Sequence, residues 1–144
     1  MDGRRQLPLG PNGQVKIELM PRVRETLAPM ADNLIFVVTN QADIKRGRLT
    51  MAQVECALRE LNSTLGGILR DHRICPHEEK DACPCRKPRA AMITELAAIY
   101  QIDLKASTMV GDQATDAEAA RNAGVGRFIY AHEFFGWNHL SSTR

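Results

Sequence analysis

At 144 residues, with 44% hydrophobic and 25% charged side chains, the chain has the profile of one soluble globular domain with its own core. A formal charge of +2, with Lys and Arg dispersed, provides no platform for nucleic acid, and no apolar run approaches the roughly 20 residues of a membrane helix. Four cysteines and a start that lacks a leader-like apolar segment argue against a disulfide framework and predict a cytoplasmic monomer.

In chain order, residues 8–13 form a turn-rich loop, and Gln14 to Leu19 alternates like a half-exposed strand. Pro21 opens a helix with Val23, Leu27 and Met30 on one face. Leu34 to Val38 is a continuous apolar run, the pattern of a parallel strand covered on both faces. Thr39, Asn40 and Gln41 follow it directly and place a hydroxyl and two amides at the strand end, donors suited to phosphoryl oxygens. The ordinary alternative is turn chemistry. Thr50 then caps a helix from Met51 to about Leu69, with Val54, Leu58, Leu61 and Leu65 at helical spacing.

The stretch from Cys75 to Pro88 is the most distinctive in the chain. Cys75, His77, Cys83 and Cys85 make a C-x-H, five residues, C-x-C set. Three thiolates and an imidazole are a complete tetrahedral ligand set for a closed structural Zn2+ site. Arg86 and Lys87 follow the last ligand, two adjacent cations suited to a phosphate. Cys56 stands alone in a helical pattern and reads as a plain core or half-buried residue.

Pro88 starts a further helix with Met92, Ile93, Leu96 and Ile99 on its apolar face, and Ser107 to Gly111 makes a short strand. Asp112 and Asp116 then place two carboxylates at the strand end and the following helix start. Hard cations prefer such oxygens, so the pair is a candidate Mg2+ site; helix capping is the competing reading. The helix runs through Asn122, Gly124 stops it, and Arg127 to Tyr130 supplies a last strand. The aromatic residues between Tyr130 and Trp137 are not interleaved with basic ones, which again disfavours nucleic acid. Strand and helix alternate throughout, so the expected architecture is α/β, a doubly wound parallel sheet of Rossmann-like type, in a single domain over 1–144 with its chemistry at the carboxyl ends of the strands.

The ordered set Thr39-Asn40-Gln41, Arg86-Lys87-Pro88 and Gly111-Asp112 with Asp116 resembles the haloacid dehalogenase (HAD) superfamily of phosphatases. With the four zinc ligands it is most similar to the branch that contains the heptose 1,7-bisphosphate and histidinol-phosphate phosphatases. The resemblance implies a magnesium-dependent phosphomonoesterase acting on a small phosphorylated sugar, with Zn2+ structural and Mg2+ catalytic. It implies that Thr39 bonds the transferring phosphoryl group and that Asn40, Gln41, Arg86 and Gln113 line the substrate pocket. Lys87 would stabilise the phosphorylated intermediate, and Asp112 and Asp116 would serve the magnesium.

The family mechanism is attack by an aspartate on phosphorus, with a second aspartate two residues later as general acid/base. Aligned on Asp-Gly, Asp2 takes that second role and also faces the magnesium, which puts the attacking aspartate and its central strand upstream of Met1. Gln113 stands where the heptose enzymes carry lysine, and Arg46 and Arg48 are candidates for a second anion site. The alternative expectation is a catalytically inactive, zinc-stapled relative that binds a phosphorylated ligand or a protein.

Overall fold

The computed structural model describes residues 18–137. Asp2, Arg4, the turn-rich loop and most of the expected Gln14 to Leu19 strand lie outside the described residues. The chain forms α1 (Val23–Leu27), β1 (Ile35–Asn40), α2 (Met51–Thr64), β2 (Leu69–Cys75), α3 (Ala91–Tyr100), β3 (Thr108–Gly111), α4 (Ala114–Ala123), β4 (Arg127–Tyr130) and α5 (Ala131–Phe134). Short 3-10 turns occupy Ala28–Met30, Glu79–Asp81 and Leu104–Ala106.

Among the described residues the strand pairings are parallel and fall into two two-stranded sheets, β1 with β2 and β3 with β4. The β1/β2 sheet is wound on both faces. Ile74 packs with Val54 and Ala57 of α2, whereas Cys75, the next residue, packs with Met92 of α3. Successive strand side chains point to opposite faces, so the two helices cover opposite sides. The same parity places Phe36 against Tyr100 of α3, with ring centroids 5.0 Å apart.

Four sequence expectations are corrected by this geometry. The helix expected to start at Pro88 begins at Ala91, with Pro88 in the preceding turn, and Cys56 is exposed on α2. Leu34 lies before β1 and is 57% exposed, and β1 itself is only half-buried, because among the described strands it pairs on one edge alone. The helix expected to reach Leu69 ends at Thr64, where Gly66 and Gly67 adopt φ of 83° and 80°, and the chain re-enters the sheet as β2. β2 reads Leu-Arg-Asp-His-Arg-Ile-Cys, too polar for a buried strand but suited to an edge. Its outward-facing backbone at His72 is capped by its own neighbours: Asp71 Oδ1 accepts from the His72 N–H (2.7 Å) and Arg73 Nη1 donates to the His72 carbonyl (2.7 Å).

The termini of α2 and α4 follow ordinary rules. Thr50 and Gln53 form a reciprocal capping box at α2, as the sequence predicts. Gly124 takes φ 83° at the end of α4. At the far end, the aromatic residues are structural: Phe135 stacks on Trp137, whose indole N–H donates to the Pro21 carbonyl (2.5 Å). No helix among the described residues is long and apolar enough to cross a membrane.

Candidate phosphate and metal sites

Lys87 is the hub of the strand-end cluster. Its Nζ lies 2.6 Å from Asp116 Oδ1 and donates to the Val38 carbonyl at 3.3 Å, both side chains of the ion pair being nearly buried. Gln41 N–H donates to the Cys75 carbonyl, so Val38, three residues earlier, turns its carbonyl to the other edge of β1, where Lys87 meets it. One ammonium thus joins the end of β1 to the start of α4, one residue from Thr39 in the chain.

Asn40 holds Lys87 in place. Its Oδ1 accepts from the Lys87 N–H (3.0 Å) and its Nδ2 donates to the Lys87 carbonyl (3.3 Å), a two-point grip across 47 residues of sequence. Gln41 Nε2 donates to Thr39 Oγ1 (3.0 Å), which fixes the threonine hydroxyl as an acceptor there and leaves its proton to point elsewhere. Asn40 and Gln41, expected to line a substrate pocket, are thereby found holding Lys87 and Thr39.

At the end of β3, Asp112 is exposed while Asp116 is 4% exposed. Asp116 Oδ2 accepts from the Asp112 and Gln113 amides, both at 3.1 Å, and Oδ1 faces Lys87. Both Asp116 oxygens are engaged, one by the lysine and one by the loop amides, whereas Asp112 lies at the surface. Gln113 is the N-cap of α4 and completes a capping box with Asp116. Gly111 is required by this packing, since a Cβ there would sit 2.5 Å from the Asp116 Cβ.

The metal loop closes as the sequence suggests. Cys75, His77, Cys83 and Cys85 bring their donor atoms within 4.8 Å of one another. The Cys75–Cys83 and Cys83–Cys85 sulfurs are 3.5 Å apart, Cys75–Cys85 is the tightest at 2.7 Å, and His77 Nδ1 lies 3.5 and 3.3 Å from Cys75 and Cys85. These separations lie somewhat inside the edge of about 3.8 Å of a tetrahedron with Zn–S of about 2.3 Å. The donors therefore surround one centre and fit a tetrahedral thiophilic metal. Burial opposes ionisation of Cys83, yet the Arg86 N–H (3.4 Å) and the Cys85 and Cys75 thiols bring its pKa down to about 6. Burial raises Cys75 and Cys85 above the ordinary thiol range.

Arg86 is turned toward this loop. Its Nη1 donates to the His77 carbonyl (3.1 Å), and its buried Nε lies 3.5 Å from Glu79 Oε2 without hydrogen-bond geometry. Arg46 is likewise occupied, by Asp43 and Glu78, both at 3.4 Å, and Arg48 reaches Asp43 at 3.5 Å. Arg46 is the more enclosed of the two, its side chain 20% exposed against 60% for Arg48. The signals missed in the sequence are these long-range grips, which no local pattern encodes.

A family model described as HAD-hydrolase-like matches residues 84–135. A D-glycero-beta-D-manno-heptose-1,7-bisphosphate 7-phosphatase from Rhodopseudomonas palustris is 33% identical over 131 residues, covering 82% of this chain and 72% of that protein. The enzyme of the same name from Pseudomonas aeruginosa is 40% identical over 90 residues, covering 60% of this chain and 51% of its own. Among solved structures, the D,D-heptose 1,7-bisphosphate phosphatase of B. bronchiseptica, complexed with magnesium and phosphate, matches with a TM-score of 0.69 and 29% identity over 75% of this chain and 63% of that one. The chain thus spans between 51% and 72% of the length of these relatives.

Proposed function

This chain belongs to the HAD-like hydrolase family, and from that membership we propose that it is a magnesium-dependent phosphomonoesterase for a small sugar phosphate, D-glycero-D-manno-heptose 1,7-bisphosphate or a close analogue. The observation that supports this most is the buried Lys87–Asp116 pair, which sets one cation at the carboxyl ends of both β1 and β3. That is where an open parallel sheet places its ligands. A fixed ammonium, a strand-end hydroxyl and the surface carboxylate of Asp112 suit the positioning and charge stabilisation on which phosphoryl transfer chiefly depends.

In this reading Thr39 bonds a phosphoryl oxygen through its hydroxyl proton and Lys87 faces the same group. Asn40 and Asp116 hold Lys87 from its backbone and its head. Asp112 would hold magnesium, which when bound offsets the negative charge of the phosphate. Asp2, outside the described residues, is proposed as the general acid/base, and a carboxylate as the attacking group. The four-donor loop would hold zinc, with no open position for chemistry.

Phosphate release from heptose bisphosphate and related sugar phosphates tests this, with the 144-residue protein and with one preceded by an apolar segment ending in Asp. Magnesium-dependent release by the extended protein supports the proposal. Phosphate binding with no release by either protein would replace it with the inactive phosphate-binding relative.

A further inference from the structure

The loop after β1 carries two cations that face two acids of the metal loop. Arg46 Nε lies 3.4 Å from Glu78 Oε2, and Lys45 Nζ lies 3.5 Å from Asp81 Oδ1. Arg46, Glu78, Asp43 and Asp81 have side chains only 14% to 24% exposed, so most of this network is shielded; Lys45 is half exposed. On the acidic side, Asp81 Oδ2 also accepts from the Glu78 N–H (2.8 Å), which ties the two acids to each other. Glu78 follows the ligand His77, and Asp81 stands two residues before the ligand Cys83.

On the basic side, residues 41–49 are a run of turns closed by Arg46 N–H to the Ala42 carbonyl (3.1 Å) and Arg48 N–H to the Asp43 carbonyl (2.9 Å). They begin at Gln41, whose amide grips Thr39, and end at Leu49, buried in the α2 core. Between Cys75 and Cys85 the metal loop has little backbone structure of its own, one 3-10 turn at Glu79–Asp81. Its shape is therefore set by what its four donors hold together with the grips of Arg86 on the His77 carbonyl and Arg89 on the Cys83 carbonyl, and so are the positions of Glu78 and Asp81.

We propose that the metal loop docks the 41–49 loop through Lys45 and Arg46, so that metal loading orders the segment leading out of Thr39 and Gln41. Lys45 and Arg46 are positioning residues, and the acids Glu78 and Asp81 are their receptors. The proposal rests on the metal reading of the four donors but not on turnover, so it can fail or hold independently of the phosphatase assignment. Single exposed pairs contribute little, and the coupling comes from two pairs sharing one shielded network. Coupling is reciprocal: if the metal orders the loop, loss of the loop contacts weakens the metal by the same factor.

Amide hydrogen exchange on the full chain, with zinc bound and after chelation, tests this. Chelation is expected to speed exchange in 43–49 by about tenfold alongside 76–86. With zinc bound, the Lys45→Gln/Arg46→Gln protein should show the same acceleration in 43–49, unchanged exchange in 91–123, and zinc affinity lowered about tenfold. In an Asp43→Asn background, which removes the second acid facing Arg46, the exchanged pair Arg46→Glu with Glu78→Arg should recover protection that either single change loses. If chelation accelerates 76–86 and leaves 43–49 unchanged, the proposal is overturned. Should chelation unfold the chain, visible as exchange across 91–123, the zinc-bound double variant decides, and normal protection of 43–49 in it overturns the proposal. Failure of the exchanged pair to recover protection does so as well.

Discussion

Replacing Lys87 by Met leaves Asp116, 4% exposed, with two backbone N–H donors and no counter-charge. Breaking one side of a buried ion pair typically costs about 3–5 kcal/mol, much of it the burden of the stranded charge. Here the two amides at 3.1 Å relieve part of that, so about 2–4 kcal/mol is expected. Asp116→Asn strands the lysine instead, at a similar cost, but keeps a side-chain oxygen for the amides. In the double variant neither charge remains, and its loss should fall short of the sum of the singles by about 2 kcal/mol. Denaturant unfolding of zinc-saturated protein, with a single transition and an unchanged m-value, measures all three. Strictly additive losses would refute the pair as the link between β1 and α4.

The other expectations concern separate parts of the molecule. Asn40→Ala removes both contacts to the Lys87 backbone and should lower stability by about 1–2 kcal/mol; in an active form of the enzyme, kcat should fall while KM changes little, and equal losses from Asn40→Ala and Asn40→Asp would contradict a two-point grip. Cys83→Ser should reduce zinc below one per chain and lower the melting temperature, both read by metal analysis and calorimetry; full zinc occupancy would remove Cys83 from the ligand set. The Tyr100 hydroxyl (2.6 Å), with the His72 N–H and Arg73, holds the Asp71 carboxyl below its ordinary value of 3.8. A depressed folded-state pKa contributes stability present above about pH 4 and lost as pH falls through the folded value. Asp71→Asn should therefore melt lower at pH 7 and converge with the parent as pH falls through the carboxyl's lowered folded value; parallel curves would contradict this.

The apolar run before Thr39 marked β1 because a strand between two helices must be apolar on both faces. β3, α4 and β4 were legible for the same reason, together with Gly124 at a helix end. β2 was not legible. Its Arg70, Asp71, His72 and Arg73 serve an exposed edge and shield it with their own side chains, which erases the alternation by which strands are recognised. The Gly66-Gly67 pair was the available signal that α2 had stopped. The four donors were readable from spacing because their loop closes within eleven residues. The grip of Asn40 on Lys87 and of Arg46 on Glu78 spans 47 and 32 residues, and only the packing of β1 beside the metal loop brings those partners together.

The central claim is that the strand ends at Thr39, Lys87 and Asp112 form one phosphate site. Calorimetric titration of the zinc-loaded chain with inorganic phosphate, with and without magnesium, tests it without requiring turnover. Binding strengthened by magnesium, and weakened at least tenfold by Thr39→Val or Asp112→Asn in variants that melt normally, is the expected result. Binding that is indifferent to magnesium and unaltered in both variants would contradict it.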